Sequence, residues 1–285
     1  MTITEITWDI QRIAKLISVG AIYGVLNEEL QATVAALTAN DMVDKIQGTI
    51  GYPSRFTQPF WALVLAAQYY ALFEVLDLPK AHAVYEPGAG AEPPVLIAST
   101  AFGEGRSRYT TINLNQQLHA KLMNALQDRS LNHRIIADNA QAAFDYLEPS
   151  TIDIACFNHS INDILQTAVA EAKGMDTAIV DWFAEERQMI EWLDAAFRSN
   201  TIETVGKKEL LQIIGDTATL VRSGGYLIFF HCVFEGMQEL TWFPWELYSD
   251  LIPITRNWIR ASTLPLEEVY LPNIDPRWWM ILKVK

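Results

Sequence analysis

A strand that must end in a backbone-only turn is the tightest constraint in this chain. The run Ala83-Val84-Tyr85-Glu86-Pro87-Gly88-Ala89-Gly90-Ala91-Glu92-Pro93-Pro94 predicts a buried strand over His82 to Glu86, then a glycine turn, then a helix opened by prolines. Glycine tolerates positive φ and lets another group press against the main chain. At the carboxyl edge of an open α/β sheet, such a turn is where small ligands bind. Two ligand classes compete for it. A dinucleotide needs a third glycine where Pro93 stands, and free amides at the helix start for its pyrophosphate. Pro93 and Pro94 each remove a donor, which favours a ligand without phosphates.

The rest of the chain supplies the sheet that this turn needs. Before Ala81 the pattern is helical: Ile10, Ile13, Ala14, Ile17 and Ala21 recur at helical spacing, as do Leu30, Val34 and Leu37. Gly48 to Pro59 reads as a loop broken by Gly51, Pro53 and Pro59, and Phe60 to Leu76 as a mostly apolar helix. Residues 1 to 80 are therefore expected to form a helical cap, and 81 to 285 a sheet domain. Within that domain a helix over Pro93 to Phe102 precedes a strand over Arg108 to Leu114. Asn115 caps a helix carrying Leu118, Leu122 and Leu126 on one stripe. Strands over His133 to Ala137 and Thr151 to Phe157 come next, then a helix over Ile161 to Lys173. A strand over Tyr226 to Val233 follows the Ser223-Gly224-Gly225 turn, and Leu266 to Leu271 and Trp278 to Val284 complete seven strands. Strands separated by helices predict a mostly parallel α/β sheet. Two insertions exceed this alternation. One, near 175–204, is an amphipathic helix carrying Trp182, Ile190 and Leu193; the other, near 236–262, contains Trp242-Phe243-Pro244-Trp245.

Charge and cysteine usage narrow the partners. A net charge of −13 and a pI near 4.8 repel phosphates, so nucleic acid and anionic membranes are not expected partners. Cys156 and Cys232 sit in apolar strand-like runs and are expected to be buried, reduced thiols. No basic segment followed by an apolar core opens the sequence, and Phe60 to Ala67 is too short to span a bilayer, so a cytoplasmic location is expected. The histidines and cysteines show no metal-ligand spacing, so no metal is expected.

In order and register these motifs resemble the class I S-adenosylmethionine-dependent methyltransferases, over about residues 81 to 285. That family has a Rossmann-like, doubly wound sheet, so the resemblance implies that architecture here, with S-adenosylmethionine as cofactor and S-adenosylhomocysteine as product. Glu86, Gly88, Ala89 and Gly90 match the turn around the cofactor's methionine part. Asn113, followed by Leu114, stands where the family usually has an acid gripping the ribose. Asparagine can donate and accept but lacks the charge. Asp138, Asn139 and Ala140 resemble the adenine clamp, with an Asx-turn as the alternative reading. The segment after strand four offers Asn158 as an acceptor or cofactor contact and His159 as a candidate base, with Asp163 to orient it. Ser160-x-x-Asp163 is also a capping box, which competes with that role for Asp163. His231, ending strand five, is the second candidate base, whereas His82, His119 and His133 read as structural or surface residues. Before the sheet, Arg55 is a candidate for the methionine carboxylate, and Tyr52, Phe56, Trp242 and Trp245 are candidates for the acceptor.

The resemblance implies a methyltransferase acting on oxygen or nitrogen of a small-molecule acceptor. A peptide acceptor and a homodimer are both compatible with the aromatic insertions. A catalytically silent binding or scaffold subunit of the same fold is the second reading, motivated by Asn113. A nicotinamide-dependent oxidoreductase is the third, disfavoured by Pro93 and Pro94.

Overall fold

The structure, a computed structural model, describes residues 9–51, 58–90, 93–126, 132–233, 237, 239–272 and 274–285. Its first helix, α1 (Ile10–Ser18), is capped by Asp9, whose carboxylate accepts from the Arg12 amide, and it buries Ile13 and Ile17. Helix α2 (Glu28–Ala35) is capped in the same way by Asn27. Helix α3 (Ala39–Gly51) runs through Gly48, where the sequence predicts a loop. Helix α4 (Gln58–Val75) already begins at the end of that expected loop, with Pro59 in the first turn, where a missing N–H breaks no helical bond. The intervening residues 52–57 lie outside the described residues. From Phe60 to Phe73, α4 is buried on all sides apart from the half-buried Trp61. Such a helix belongs between two layers. Here α1 and α3 pack on one side and the first sheet helix on the other.

Seven strands form one sheet in the order β3-β2-β1-β4-β5-β7-β6. They are β1 (Ala83–Pro87), β2 (Arg108–Ile112), β3 (His133–Ile136), β4 (Ile152–Asn158), β5 (Val221–Phe230), β6 (Leu266–Glu268) and β7 (Trp279–Val284). All neighbours pair in parallel except at β7, which runs antiparallel to both β5 and β6. This mostly parallel sheet with helices on both faces is the Rossmann-like α/β architecture expected for the sheet domain. β5 and β6 differ from the sequence reading, and β5 ends at Phe230, three residues before the expected Val233. β5 starts at Val221, so Ser223-Gly224-Gly225 lies inside the strand as an irregularity opposite Ile152 and Ile154. A Cβ on Gly225 would sit 2.6 Å from the Asp153 carbonyl, so only glycine lets the two strands approach there. β6 stops at Glu268, three residues before the expected end.

Helices cover both faces. Helix α5 (Pro94–Gly103) and α6 (Gln116–Leu126) share a core with α1, α3, α4 and the Val84, Cys156, Ile228, Trp279 side of the sheet. On the other face, α7 (Ile161–Ala172), α8 (Trp182–Arg198), α9 (Gly206–Leu220), α10 (Trp245–Ser249) and α11 (Leu251–Arg260) meet Tyr85, Phe157, Leu227, Phe229 and Met280. Phe157 and Phe229 stack there with ring centroids 4.4 Å apart. Because α5 leaves β1 toward one face and α7 leaves β4 toward the other, a crevice opens at the carboxyl ends of these adjacent strands. The insertion near 175–204 becomes helical only at Trp182, where Asp181 caps it, and closes with a 3-10 turn at Thr201–Glu203.

Candidate functional site

The crevice is walled by the glycine turn. After Pro87 the chain passes through Gly88 (φ 71°) and Gly90 (φ 66°), both in the left-handed region that glycine enters without strain. The Gly88 amide donates to the Ile112 carbonyl at 3.0 Å and the Ala89 amide to Thr111 Oγ1 at 3.4 Å. Asn113 Nδ2 donates to the Gly90 carbonyl at 3.3 Å. The turn is thus stitched to the end of β2. A Cβ on Gly88 would lie 3.4 Å from Ser160 Cβ, whereas one on Gly90 would meet nothing within 4 Å. Gly90 therefore presents bare backbone to open space.

That space is a partly open cleft with an interior volume of about 80 Å³. Gly88 and Gly90 form one wall. Asn113, Leu114, Asn139 and Ala140 form the rim at the ends of β2 and β3, and Ser160, Asp163, Ile164 and Thr167 form the opposite wall on α7. Trp182, Glu209 and Ile213 complete it. Asp163 and Glu209 are its acids, and no described lining residue is basic. Burial pushes the Asp163 carboxyl up to about 8, with the nearby Glu186 adding to the effect, and burial beside Glu171 raises Glu209 as well. Ser160 is fully buried, and among the described residues its hydroxyl has no hydrogen-bond partner.

Gly88, Gly90, Asn113, Leu114, Asn139 and Ala140 thus line one cleft, and Asp163 lines it too. Other candidates stand elsewhere. Glu86 points to the opposite face of the sheet, fully buried, and accepts a hydrogen bond from the Tyr109 hydroxyl at 2.5 Å with Asn158 beside it. Burial pushes its carboxyl up to about 8, against those two hydrogen-bonding neighbours. Asn158 accepts from the Tyr69 hydroxyl at 3.3 Å. The carboxylate of Asp138 takes a hydrogen bond from the Tyr146 hydroxyl at 2.6 Å and another from the Asn139 amide. Asn139 in turn caps the 3-10 turn Ala140–Asp145 through the Gln141 amide. Arg55, Tyr52 and Phe56 lie outside the described residues. Trp242 packs edge-on against Phe243 with the Arg187 guanidinium 5.1 Å from its ring, and Trp245 packs half-buried on the α7–α11 core.

His159 precedes α7 in a left-handed conformation (φ 58°), so it shares no helical turn with Asp163. Its Nε2–H donates to the Cys232 carbonyl at 2.9 Å, and the Asn162 side chain is a second polar neighbour of the ring. The orienting role expected of Asp163 is not seen. Asp163 Oδ1 instead accepts from Asn162 Nδ2 at 2.6 Å. Nor does the Ser160 side chain cap α7, so the capping box is unformed. The His159 and His231 rings lie 4.5 Å apart, and Trp61 meets His159 edge-on at 6.5 Å. His231 is buried within reach of the Tyr248 backbone without a well-formed hydrogen bond. Burial holds both imidazoles below their ordinary range, His231 further because His159 is beside it. Both cysteines are free and buried; burial pushes the Cys232 thiol up to about 12 and Cys156 further. Among the described residues no three His, Cys, Asp or Glu side chains gather as a metal site, and no helix is long and apolar enough to cross a membrane.

Ser160, Thr167, Trp182, Glu209 and Ile213 are cleft residues that sequence reasoning misses, because they come from helices on the far side of the sheet edge. A signal exists in hindsight: Ser160, Asp163 and Thr167 recur at i, i+3 and i+7 on a helix otherwise rich in buried apolar residues. Asn115 has a second task beyond capping α6 through the Gln117 and Leu118 amides. Its Nδ2 donates to the Thr177 and Val180 carbonyls at 2.9 and 3.0 Å, and the Gln116 amide to Ala178 at 2.9 Å. These bonds lash the segment before α8 to the rim of the cleft.

No protein-family model and no curated protein sequence matches the chain. Solved structures similar to it include an S-adenosylmethionine-dependent methyltransferase from Aquifex aeolicus, 9% identical, covering 75% of this chain and 87% of that one with a TM-score of 0.46. Another is an rRNA methylase from Streptococcus thermophilus, 14% identical, covering 76% and 93% with a TM-score of 0.40. A third is an S-adenosylmethionine-dependent O-methyltransferase from Thermotoga maritima, 8% identical, covering 76% and 64% with a TM-score of 0.41. Likeness at this level concerns the fold alone.

Proposed function

We propose that this chain is an S-adenosylmethionine-dependent methyltransferase, with the nucleoside of its cofactor in the cleft between the glycine turn and α7. The observation that carries the reading is the pair of positive-φ glycines, 88 and 90, presenting main chain to a cleft at the topological switch of a doubly wound sheet. The chemistry of the wall supports it. With acids and no described base around it, the cleft suits a neutral nucleoside joined to a sulfonium cation and disfavours a pyrophosphate. Gly88, Gly90, Leu114, Asn139 and Ala140 would hold that nucleoside. The bound group would supply an electrophilic methyl. The protein's own part is to hold the acceptor in line, keep water out and remove a proton where the acceptor enters protonated. His159 is the residue we assign to that proton, its ring positioned by the Cys232 carbonyl and by Asn162.

The acceptor we favour is a small molecule with an oxygen or nitrogen nucleophile. A net charge of −13 supports it over nucleic acid. A silent binding subunit is the second reading, favoured by one observation: the Asn113 amide is engaged by the glycine turn and nothing acidic ends β2. Isothermal titration tests the cofactor. S-adenosylhomocysteine should bind and raise the melting temperature, while NADH should do neither. Absence of heat and of thermal stabilisation at millimolar S-adenosylhomocysteine removes the reading. Binding without turnover over a broad acceptor panel decides for the silent subunit.

A further inference from the structure

The cleft keeps two carboxyls where a buried wall would ordinarily be apolar. Asp163 lies on the first turn of α7, with Ser160 and Thr167 on the same stripe, and Glu209 lies on the first turn of α9, one turn before Ile213. These two helices pack against each other. Their remaining facing residues, such as Leu165 and Leu210, belong to the core. Burial opposes ionisation of both carboxyls and raises both pKa values, so the protein keeps them against its own stability. The Ser160 hydroxyl, fully buried on the same wall, has no hydrogen-bond partner among the described residues. Across the cleft, the Asn113 amide donates to the Gly90 carbonyl and so holds the turn. No described lining residue brings a cation to answer the acids. A ligand that satisfies this wall must bring hydrogen-bond donors and little negative charge.

Building on the function proposed above, we propose that Asp163 and Glu209 are the recognition carboxyls of the cleft, accepting hydrogen bonds from the hydroxyl or amino donors of a phosphate-free nucleoside and so replacing an acid at the end of β2. The ribose diol and the exocyclic amine of adenine are the two groups with this chemistry. Either would leave the Ser160 hydroxyl within a polar, ligand-filled wall instead of an empty one.

Titration calorimetry with S-adenosylhomocysteine, its 2′-deoxyribose analogue and S-inosylhomocysteine separates the cases, applied to the unmodified protein, Asp163→Asn and Glu209→Gln. Each substitution should weaken S-adenosylhomocysteine about ten- to a hundredfold, the range for one hydrogen bond to a charged or strongly polar group. The unmodified protein should discriminate against one of the analogues by a similar factor. That discrimination should vanish in the variant that lost the matching carboxyl, which a general loosening of the fold would not produce. Sensitivity to the deoxy analogue assigns the diol, and sensitivity to the inosine analogue assigns the amine. If Asp163→Asn does not fold, because Asp163 also anchors Asn162, then Glu209→Gln carries the test alone. Unmodified protein that binds S-adenosylhomocysteine, with variants binding within twofold of it and ranking the analogues identically, overturns the proposal while leaving the methyltransferase reading intact. Failure of the unmodified protein to bind any of the three ligands overturns both.

Discussion

Glu86 shows what burial does to a single carboxyl and how to read it from outside. In the unfolded chain it ionises near its ordinary value, about 4.5, and in the folded protein near 8, mainly because burial disfavours the charged form. Between those values the folded state holds a proton that the unfolded state has released. Raising the pH therefore favours unfolding, by about 1.4 kcal/mol per pH unit for one such group. The stability from Glu86 is complete below about 4.5 and is lost as the pH climbs through 8. His82, His159 and His231, held below their ordinary range by burial, act in the opposite sense, an effect that fades as the pH rises past about 6.5. Denaturant titrations at about pH 7, 7.5 and 8, where the imidazoles contribute least, therefore weight the carboxyls. Asp163, Glu186 and Glu209 contribute with the same sign, so the comparison is with Glu86→Gln, which keeps an acceptor for the Tyr109 hydroxyl and should flatten the slope. An unchanged slope in that variant would place the ionisation elsewhere. The sequence marks Glu86 as the acid at the strand's end, yet strand alternation sends Tyr85 to the α7 face and Glu86 to the α4–α5 face. Period-two geometry was available in the sequence; the partner across the strand, Tyr109, was not.

At the scale of elements, the glycine turn was legible because its chemistry is local. Strand, acid, glycines and prolines occur within twelve consecutive residues, and each imposes a φ or removes a donor. The cleft wall opposite was not, since Glu209 reaches it from a helix 119 residues downstream of Gly90 (209 − 90 = 119) by tertiary packing alone. The same limit explains the two misread edges. Ser223-Gly224-Gly225 has turn composition but is held in β5 by pairing with β4, and α8 starts late because Asn115 lashes the residues before it. The turn can be tested as an element. Gly90→Ala forces a β-carbon into positive φ, which destabilises by about 1 kcal/mol, yet the added carbon meets no protein atom within 4 Å. A ligand that presses on this backbone meets it instead. The variant should therefore lose little in chemical denaturation and at least tenfold in affinity for S-adenosylhomocysteine. Gly88→Ala has the same φ strain, and its methyl group would be directed at Ser160 at 3.4 Å. Equal affinity of Gly90→Ala and the unmodified protein would mean that the turn faces away from the ligand.

Across the whole molecule, the helices before Ala81 belong to the same hydrophobic cluster as one face of the sheet. Ile13, Ile17, Ile46, Leu63, Phe73 and Tyr69 form one buried cluster with Val84, Cys156, Phe102 and Trp279. Tyr69 meets Trp279 at 5.3 Å, and Phe73 meets Phe102 at 5.9 Å. Removing residues 1–80 would open to water much of the cluster that these helices share with the sheet domain, whose members include Leu96, Ile97, Phe102, Trp279 and Ile281. Each large apolar side chain exposed costs about 1.5–3 kcal/mol, so five of them approach the whole stability of a domain, about 5–15 kcal/mol. A helix that is apolar on every side cannot be a detachable cover. The chain beginning at Ala81 should therefore fail to fold, losing near-ultraviolet circular dichroism and binding hydrophobic dye. In the full chain, calorimetry should show one transition, with the helices and the sheet melting together. Two separated transitions, or a truncated protein that stays monomeric and binds S-adenosylhomocysteine, would make the helices an independent module. In the single-unit case, ligand bound in the cleft stabilises α1–α4 as well as the sheet, because the residues that cover one face hold the strands whose carboxyl ends build the site.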